Sequence, residues 1–178
     1  MIPSRLTFPL ALALTAAPAL AQPIPLSPSP PTSTPVPFSP YHLALRAEPA
    51  AGVSGGRFFN QLIGARADYR FTEYLSLGAY VGYANLKGQD GRAHNVLPSL
   101  ELECRPSLGG SNTFGLPLRF ATGYLPNNGP VLRLSIGLSY AISPNVDVVI
   151  DAFTPTFWVI RDRTVVSLGG ALEIGWAP

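Results

Sequence analysis

Closely spaced carboxylates are the first residues of this sequence whose types and spacing could carry out chemistry. Glu101 and Glu103 are two residues apart, and Asp147 and Asp151 are four apart, so each pair would share one face of an extended strand. Paired carboxylates can move protons in acid–base catalysis or hold a cation. Several arginines occupy the same alternating positions as these carboxylates, so we favour salt bridges over catalysis.

Two histidines and one cysteine are the other residues that could act in catalysis or bind a metal. His42 precedes an apolar run, and His94 lies in a segment rich in glycine and aspartate. Neither has a serine or an acid at a spacing that predicts contact with its ring, so no nucleophile–base pair is apparent. Cys104 is the only cysteine, and we interpret it as a buried apolar thiol without a metal role. The sequence therefore predicts no enzyme, no cofactor and no metal site.

Charge is scarce in this chain. Charged residues make up 12% of the 178 residues, about half the share typical of globular domains, whereas the apolar share of 47% is ordinary. The formal charge of +2 comes without a basic stripe, which argues against nucleic acid as a partner. Lys87 is the only lysine, although a soluble β-domain would normally carry several.

The N-terminal part is predicted to be a targeting segment followed by a linker. Arg5, an apolar stretch from residue 6 to 17, and Ala19-Leu20-Ala21 form the pattern of a signal peptide over residues 1–21, exported by the Sec route and cleaved after Ala21. Residues 22–40 are rich in proline and should form no packed core. We favour a plain spacer for this segment; the alternative is a tether to peptidoglycan or to a periplasmic partner.

From residue 41 onward, apolar residues alternate with small or charged residues at a period of two, which is typical of strands. The alternation recurs in eight segments, which begin near residues 41, 63, 75, 99, 116, 132, 146 and 166. In each segment the apolar parity carries no formal charge, as a strand facing hydrocarbon requires. The other parity contains the charged residues Arg46, Arg66, Arg70, Arg105, Arg119, Arg133, Glu48, Asp68, Glu101, Glu103, Asp147, Asp151 and Glu173. The near-balance of charge predicts that these side chains form an ion-pair network inside a narrow barrel.

Aromatic residues cluster near the ends of the predicted strands, as in the two aromatic girdles of a membrane barrel. One end would carry Tyr41, Tyr69, Phe71, Tyr74, Tyr140 and Trp176, and the other Tyr83, Tyr124, Phe157 and Trp158. Tight turns are predicted at 72–74 and 143–145, and longer connections at 49–60, 85–95 and 154–163. With the N-terminus in the periplasm, the tight turns would be periplasmic and the longer connections external.

The stretch Tyr69-Arg70-Phe71-Thr72-Glu73-Tyr74-Leu75-Ser76-Leu77-Gly78 combines alternation, an aromatic pair and a tight turn. In this pattern, residues 41–178 resemble the small eight-stranded outer-membrane β-barrels of the OmpA/OmpX-like group. The resemblance implies an all-β fold, a closed, up-and-down antiparallel transmembrane barrel of about eight strands in the bacterial outer membrane. It also implies membrane lipids and the barrel-assembly machinery as partners, because the group commonly ends in an aromatic residue that the insertion machinery reads. Trp176 is the corresponding aromatic residue here.

Four functions are compatible with these patterns. We favour a non-catalytic barrel with a filled, charge-paired lumen and a structural or surface-exposed role, since eight strands enclose only enough space for their own side chains. The alternative is a narrow, porin-like channel for ions or small solutes that uses the inward charges for selection. A lipid-modifying enzyme lacks a convincing site. A soluble lipocalin-like binder would need the opposite arrangement, with an apolar interior and a polar exterior.

Overall fold

The computed structural model describes residues 39–54, 59–88, 91–109, 112–126, 128–160 and 163–178. The predicted signal peptide and the proline-rich segment up to residue 38 lie outside these residues, so both stay predictions. In the part of the chain that is described, no helix is long and apolar enough to cross a membrane.

The region from residue 41 onward consists mainly of strands. They are β1 (Tyr41–Gly52), β2 (Phe59–Arg70), β3 (Leu75–Gly88), β4 (Gly91–Cys104), β5 (Phe114–Gly115), β6 (Leu118–Leu125), β7 (Gly129–Ser143), β8 (Val146–Phe153), β9 (Thr156–Ile160), β10 (Arg163–Gly169) and β11 (Ala171–Trp176). Short interruptions divide three of the barrel strands in two, so that β5 and β6, β8 and β9, and β10 and β11 each form one strand of the barrel. The result is eight antiparallel strands.

The sheet closes on itself. Each barrel strand pairs with the next along the chain, and β1 pairs with β10 and β11 to complete the circle. Closure removes the unpaired edges that an open sheet would expose, which hydrocarbon does not tolerate. The prediction of a closed, up-and-down barrel of eight strands is confirmed.

Burial follows the predicted alternation, with charge inside and apolar side chains outside. Along β1, Leu43 and Leu45 are 44% and 69% exposed, whereas Arg46 is 2% exposed. The same holds in β4, where Leu100 is 58% exposed and Glu101 only 1%. A lipocalin-like soluble barrel would show the reverse, so the structure contradicts that alternative.

The predicted long connections are largely wrong. Most of 85–95 and 154–163 belongs to strands, because β3 runs to Gly88, β4 begins at Gly91, and β9 and β10 follow a two-residue break after β8. The ladder continues there, with Asn85 opposite His94. Beyond a hydrocarbon band a strand can carry polar residues on both faces, so alternation fades although pairing persists.

The two ends of the barrel differ in the connections that they carry. The entry end is where β1 begins at Tyr41 and β11 ends at Trp176, and it carries the tight turns at 72–74 and 143–145. The far end is the opposite one, where β3 meets β4. The segment 105–117, which contains β5, also lies at the entry end, where Phe114 pairs with Tyr140.

Two lumen-facing glycines make room for the charged side chains. A Cβ atom at Gly78 would lie 1.8 Å from Oδ1 of Asp68, and one at Gly175 would lie 2.1 Å from Oδ1 of Asp147 and 2.2 Å from Nε2 of His42. All of these distances are far below van der Waals contact. Glycine at these positions therefore lets the polar side chains lie flat against the opposite strand.

Candidate functional site

The centre of the lumen holds two arginines among three glutamates. Arg66 on β2 binds Glu101, and its Nη2 lies 2.9 Å from Oε2 of Glu103. In Arg119 on β6, Nε lies 2.6 Å from the same Glu103 oxygen, and Nη2 lies 2.8 Å from Oε1 of Glu173. Four strands contribute to this cluster, which only a closed barrel can bring together.

Arg46 forms a second set of contacts beside it. Its Nη2 atom lies 2.8 Å from Oδ2 of Asp151 and 3.3 Å from Oε2 of Glu48. Asp151 also accepts a hydrogen bond from Arg119 at 3.0 Å. The side chains of Arg46 and Asp151 are at most 1% exposed. The ion pair therefore replaces the hydration of both charges, as buried ions require.

Arg133 extends the network toward the far end. Its two terminal nitrogens donate to Glu48 at 3.2 Å and to Glu101 at 2.8 Å. The carbon of its guanidinium lies 4.9 Å from the centre of the Tyr80 ring, in a cation–π arrangement. Tyr80 is fully buried.

His42 anchors the network at the entry end, a contact that the sequence did not predict. Its Nδ1 lies 3.2 Å from Oδ2 of Asp68 and its Nε2 lies 2.9 Å from Oδ1 of Asp147. Arg105 binds Asp147 and donates to Glu103 at 2.5 Å. Asp68 is the cross-strand partner of His42, but Asp147 lies 105 residues away, a separation at which spacing carries no information.

The far half of the lumen is filled mainly with apolar side chains, beside the buried polar pair Asn60 and Ser167. A buried cluster consists of Leu62, Ala84, Leu86, Leu97, Leu125, Val131 and Trp158. This cluster was not predicted, because small and charged residues are what mark the inward parity in the sequence. The sequence did contain a signal for it. Leu62 is an even number of residues from Arg66 on β2, and Leu86 is an even number from Tyr80 on β3, so each pair points to the same face.

Most of the predicted lumen charges therefore meet in one network, with Arg70 as the exception. Arg70 is half-buried at the end of β2, and its guanidinium forms no ion pair with any residue that the structure describes. Glu48, which has the inward parity, is 1% exposed and contacts both Arg46 and Arg133.

The aromatic residues fall at the two ends, with one correction. Those at the entry end are between 46% and 60% exposed: Tyr41, Tyr69, Phe71, Tyr74, Tyr140 and Trp176. Tyr83 and Tyr124 are exposed toward the far end. Trp158, expected beside them, is instead fully buried, and its indole nitrogen donates to Ser167 at 2.9 Å. The break between β8 and β9 shifts the alternation there, which the sequence pattern alone does not register.

Cys104 and His94 are both exposed. The thiol of Cys104 is exposed on the outer wall rather than buried, so that interpretation was wrong. His94 is exposed at the far end. Its ring stacks on that of Tyr83 with 5.6 Å between the ring centres, and its Nδ1 lies 2.5 Å from the Tyr83 hydroxyl. Among the described residues, no three His, Cys, Asp or Glu side chains are grouped so that they could hold a metal ion.

Known structures share this architecture. The crystal structure of Neisserial surface protein A superposes with a TM-score of 0.51 and 19% sequence identity, covering 79% of this chain and 98% of that chain. The chain has the fold of the small outer-membrane β-barrels. The N-terminal barrel domain of Pseudomonas aeruginosa OprF follows at a TM-score of 0.47 and 13% identity, over 76% of this chain and 97% of that domain.

The likeness to these outer-membrane β-barrels lies in the fold and not in the sequence. No protein-family model matches the chain, and no curated protein matches it. Yersinia pestis Ail, another outer-membrane protein, superposes with a TM-score of 0.37 and 14% identity, over 76% of this chain and 97% of that chain.

Proposed function

We propose that this protein is an integral outer-membrane β-barrel with a closed lumen and a structural or surface-exposed, non-catalytic role. The observation that carries the proposal is the filling of the lumen by two successive layers. The ion-pair network occupies the half near the entry end, and the apolar cluster around Trp158 occupies the far half. A water-filled path would have to pass both layers.

The outer wall supports a membrane location. Leucine, isoleucine and valine side chains are 37% to 69% exposed around the barrel, as at Leu45, Ile63, Leu132 and Ile174. Exposing so much apolar surface to water would cost about 25 cal/mol for each Å², whereas hydrocarbon accepts it without cost. In the orientation we propose, the entry end faces the periplasm, where the predicted proline-rich segment would act as a spacer or as a tether to peptidoglycan or a periplasmic partner.

Membrane fractionation with a heat-modifiability gel tests this location. We expect the folded protein in the outer-membrane fraction, with a different mobility before and after boiling. Depletion of the barrel-assembly machinery should abolish the folded band, since that machinery is the proposed insertion partner. Recovery of the protein in the soluble periplasmic fraction would refute the proposal.

A narrow channel is the second candidate, because charged side chains line one half of the lumen. Single-channel recordings in planar bilayers separate the two functions. A closed barrel should show no sustained conductance for the wild type, and Trp158→Ala should raise the frequency of openings by removing the largest apolar side chain of the far half. Sustained wild-type conductance that changes on Arg66→Ala or Glu101→Ala would instead establish the channel.

A further inference from the structure

The entry end of the barrel opens into a cavity of about 730 Å³, named here the entry vestibule. Its rim is formed by the turns at 72–74 and 143–145 and by the segment that contains β5. Its inner wall includes Arg70, Ser76 and Ser139. These three side chains belong to different strands, β2, β3 and β7, and none of them forms a side-chain hydrogen bond or ion pair with a described residue.

Arg70 is the inward arginine that the network does not use. Each of the other five binds at least two carboxylates: Arg46, Arg66, Arg105, Arg119 and Arg133. The guanidinium of Arg70 forms neither an ion pair nor a hydrogen bond with any residue in the described part of the chain. Its backbone N–H donates to the carbonyl of Pro40 at 2.7 Å, which fixes the strand and leaves the side chain available.

The acids of the vestibule floor are already held by other cations. Asp147 contacts both His42, at 2.9 Å, and Arg105. Glu103 contacts Arg105 at 2.5 Å and Arg119 at 2.6 Å. Glu103 also contacts Arg66 at 2.9 Å. Each of these carboxylates is thus shared between two or three cations, and in the described part of the chain neither forms an ion pair with Arg70.

Two serine hydroxyls that face the vestibule also lack a partner among the described residues. Ser76 and Ser139 are 7% and 5% exposed, and neither hydroxyl forms a hydrogen bond within the described residues. Ser76 lies opposite Arg70 in the pairing of β2 with β3. A Cβ atom at Gly115 would lie 2.6 Å from Oγ of Ser139, so the glycine keeps that hydroxyl uncovered. Because both serines line the vestibule, their hydroxyls are available to donate hydrogen bonds to a molecule bound there.

We propose that the entry vestibule binds an oxyanion, the carboxylate or phosphate group of a small polar molecule. Arg70 is the main contact, because a free guanidinium can grip an oxyanion with two parallel N–H bonds. Ser76 and Ser139 donate their hydroxyl protons to it. The proposal is independent of whether the lumen conducts, since the vestibule ends at the ion-pair network.

Titration of the folded protein with inorganic phosphate, and separately with acetate, tests this site. The protein in detergent micelles, with ¹⁵N-labelled arginine, is followed by the NMR signals of the arginine Nε–H groups at constant ionic strength. We expect one signal to shift in a saturable manner. A response to phosphate alone or to acetate alone supports the site and identifies which oxyanion it takes.

Substitutions test which residues contact the bound anion. Arg70→Gln should abolish the saturable shift, and Ser76→Ala or Ser139→Ala should each weaken binding about tenfold, the value of one charge-assisted hydrogen bond. Glu73→Gln, at the rim, should tighten binding by removing a nearby negative charge. Lys87→Gln is the matched control, because it removes the same charge at the far end and should leave binding unchanged.

Two results would overturn the proposal. One is the absence of a saturable shift with both anions, and the other is an equal loss in Arg70→Gln and Lys87→Gln, which would indicate non-specific charge screening. A heat-modifiability gel verifies folding of each variant. If Arg70→Gln does not fold, unchanged affinity in the Ser76→Ala/Ser139→Ala double variant refutes the site, and weakened affinity supports it.

Discussion

Arg133 and Glu101 meet across the lumen, with Nη2 of the arginine 2.8 Å from Oε2 of the glutamate. Their strands, β7 and β4, are not neighbours in the sheet, because β6 lies between them. Both side chains are at most 4% exposed. The contact therefore ties together strands that the backbone ladder does not join directly.

Removing one partner of this pair should destabilise the barrel strongly. Arg133→Gln leaves Glu101 and Glu48 without one of their cations, and breaking a buried pair costs about 3–5 kcal/mol. Urea unfolding in detergent micelles, followed by tryptophan fluorescence, measures the change. The Arg133→Gln/Glu101→Gln double variant should lose less than the sum of the two single variants; strict additivity would show that the two residues are not coupled.

Trp158 should matter more for stability than Trp176. Trp158→Ala removes a fully buried side chain from the apolar cluster and should cost about 3–5 kcal/mol. Trp176→Ala is the matched control, since that tryptophan is 51% exposed on the outer wall, and its loss should cost clearly less. Both are measured by urea unfolding followed by circular dichroism. Equal losses would contradict the burial of Trp158.

Gly175 should not tolerate a methyl group. In Gly175→Ala the new Cβ would lie 2.1 Å from Asp147 and 2.2 Å from His42, so both side chains must move and the cost should be about 1–3 kcal/mol. At Gly170 the nearest atom to such a Cβ is the carbonyl oxygen of Asp151, at 3.0 Å. Gly170→Ala should therefore cost about 1 kcal/mol or less. The unfolding midpoints of the two variants in urea provide the comparison, and a reversed order would be inconsistent with the lumen geometry.

The two histidines should differ in the same assay. His42→Leu removes contacts to Asp68 and Asp147 inside the lumen and should cost about 1.5–3 kcal/mol, the range for a hydrogen bond to a charged group. His94→Leu removes an exposed contact to Tyr83 and should cost about 1 kcal/mol or less. Unfolding midpoints in urea report both. Similar midpoints would mean that His42 does not stabilise the entry end.

Cysteine labelling should reveal the orientation of the barrel. In a Cys104→Ala background, Lys87→Cys places a thiol at the far end and Glu73→Cys places one in an entry-end turn, where both native residues are exposed. A membrane-impermeant maleimide should label Lys87→Cys on intact cells and Glu73→Cys only after permeabilisation. The opposite pattern would show that the entry end faces outward.

Alternation along the chain predicts the eight-stranded barrel and places the thirteen predicted lumen charges on the inner face of its wall. Alternation with a period of two is a local property, because neighbouring residues of a strand must point to opposite faces. Arg66 and Glu101 could thus be placed inside, and Leu45 and Ile174 outside, without knowledge of any contact.

Which charges meet, and how the two halves of the lumen differ, depends on the three-dimensional arrangement of the strands. Partners depend on the stagger of the strands and on side chains long enough to cross the interior, which parity does not encode. For this reason His42 reaches Asp147 across 105 residues of sequence, whereas Arg70, with the same parity as Arg66, has no partner among the described residues. The inward turn of Trp158 likewise depends on the break between β8 and β9, where the local period is interrupted.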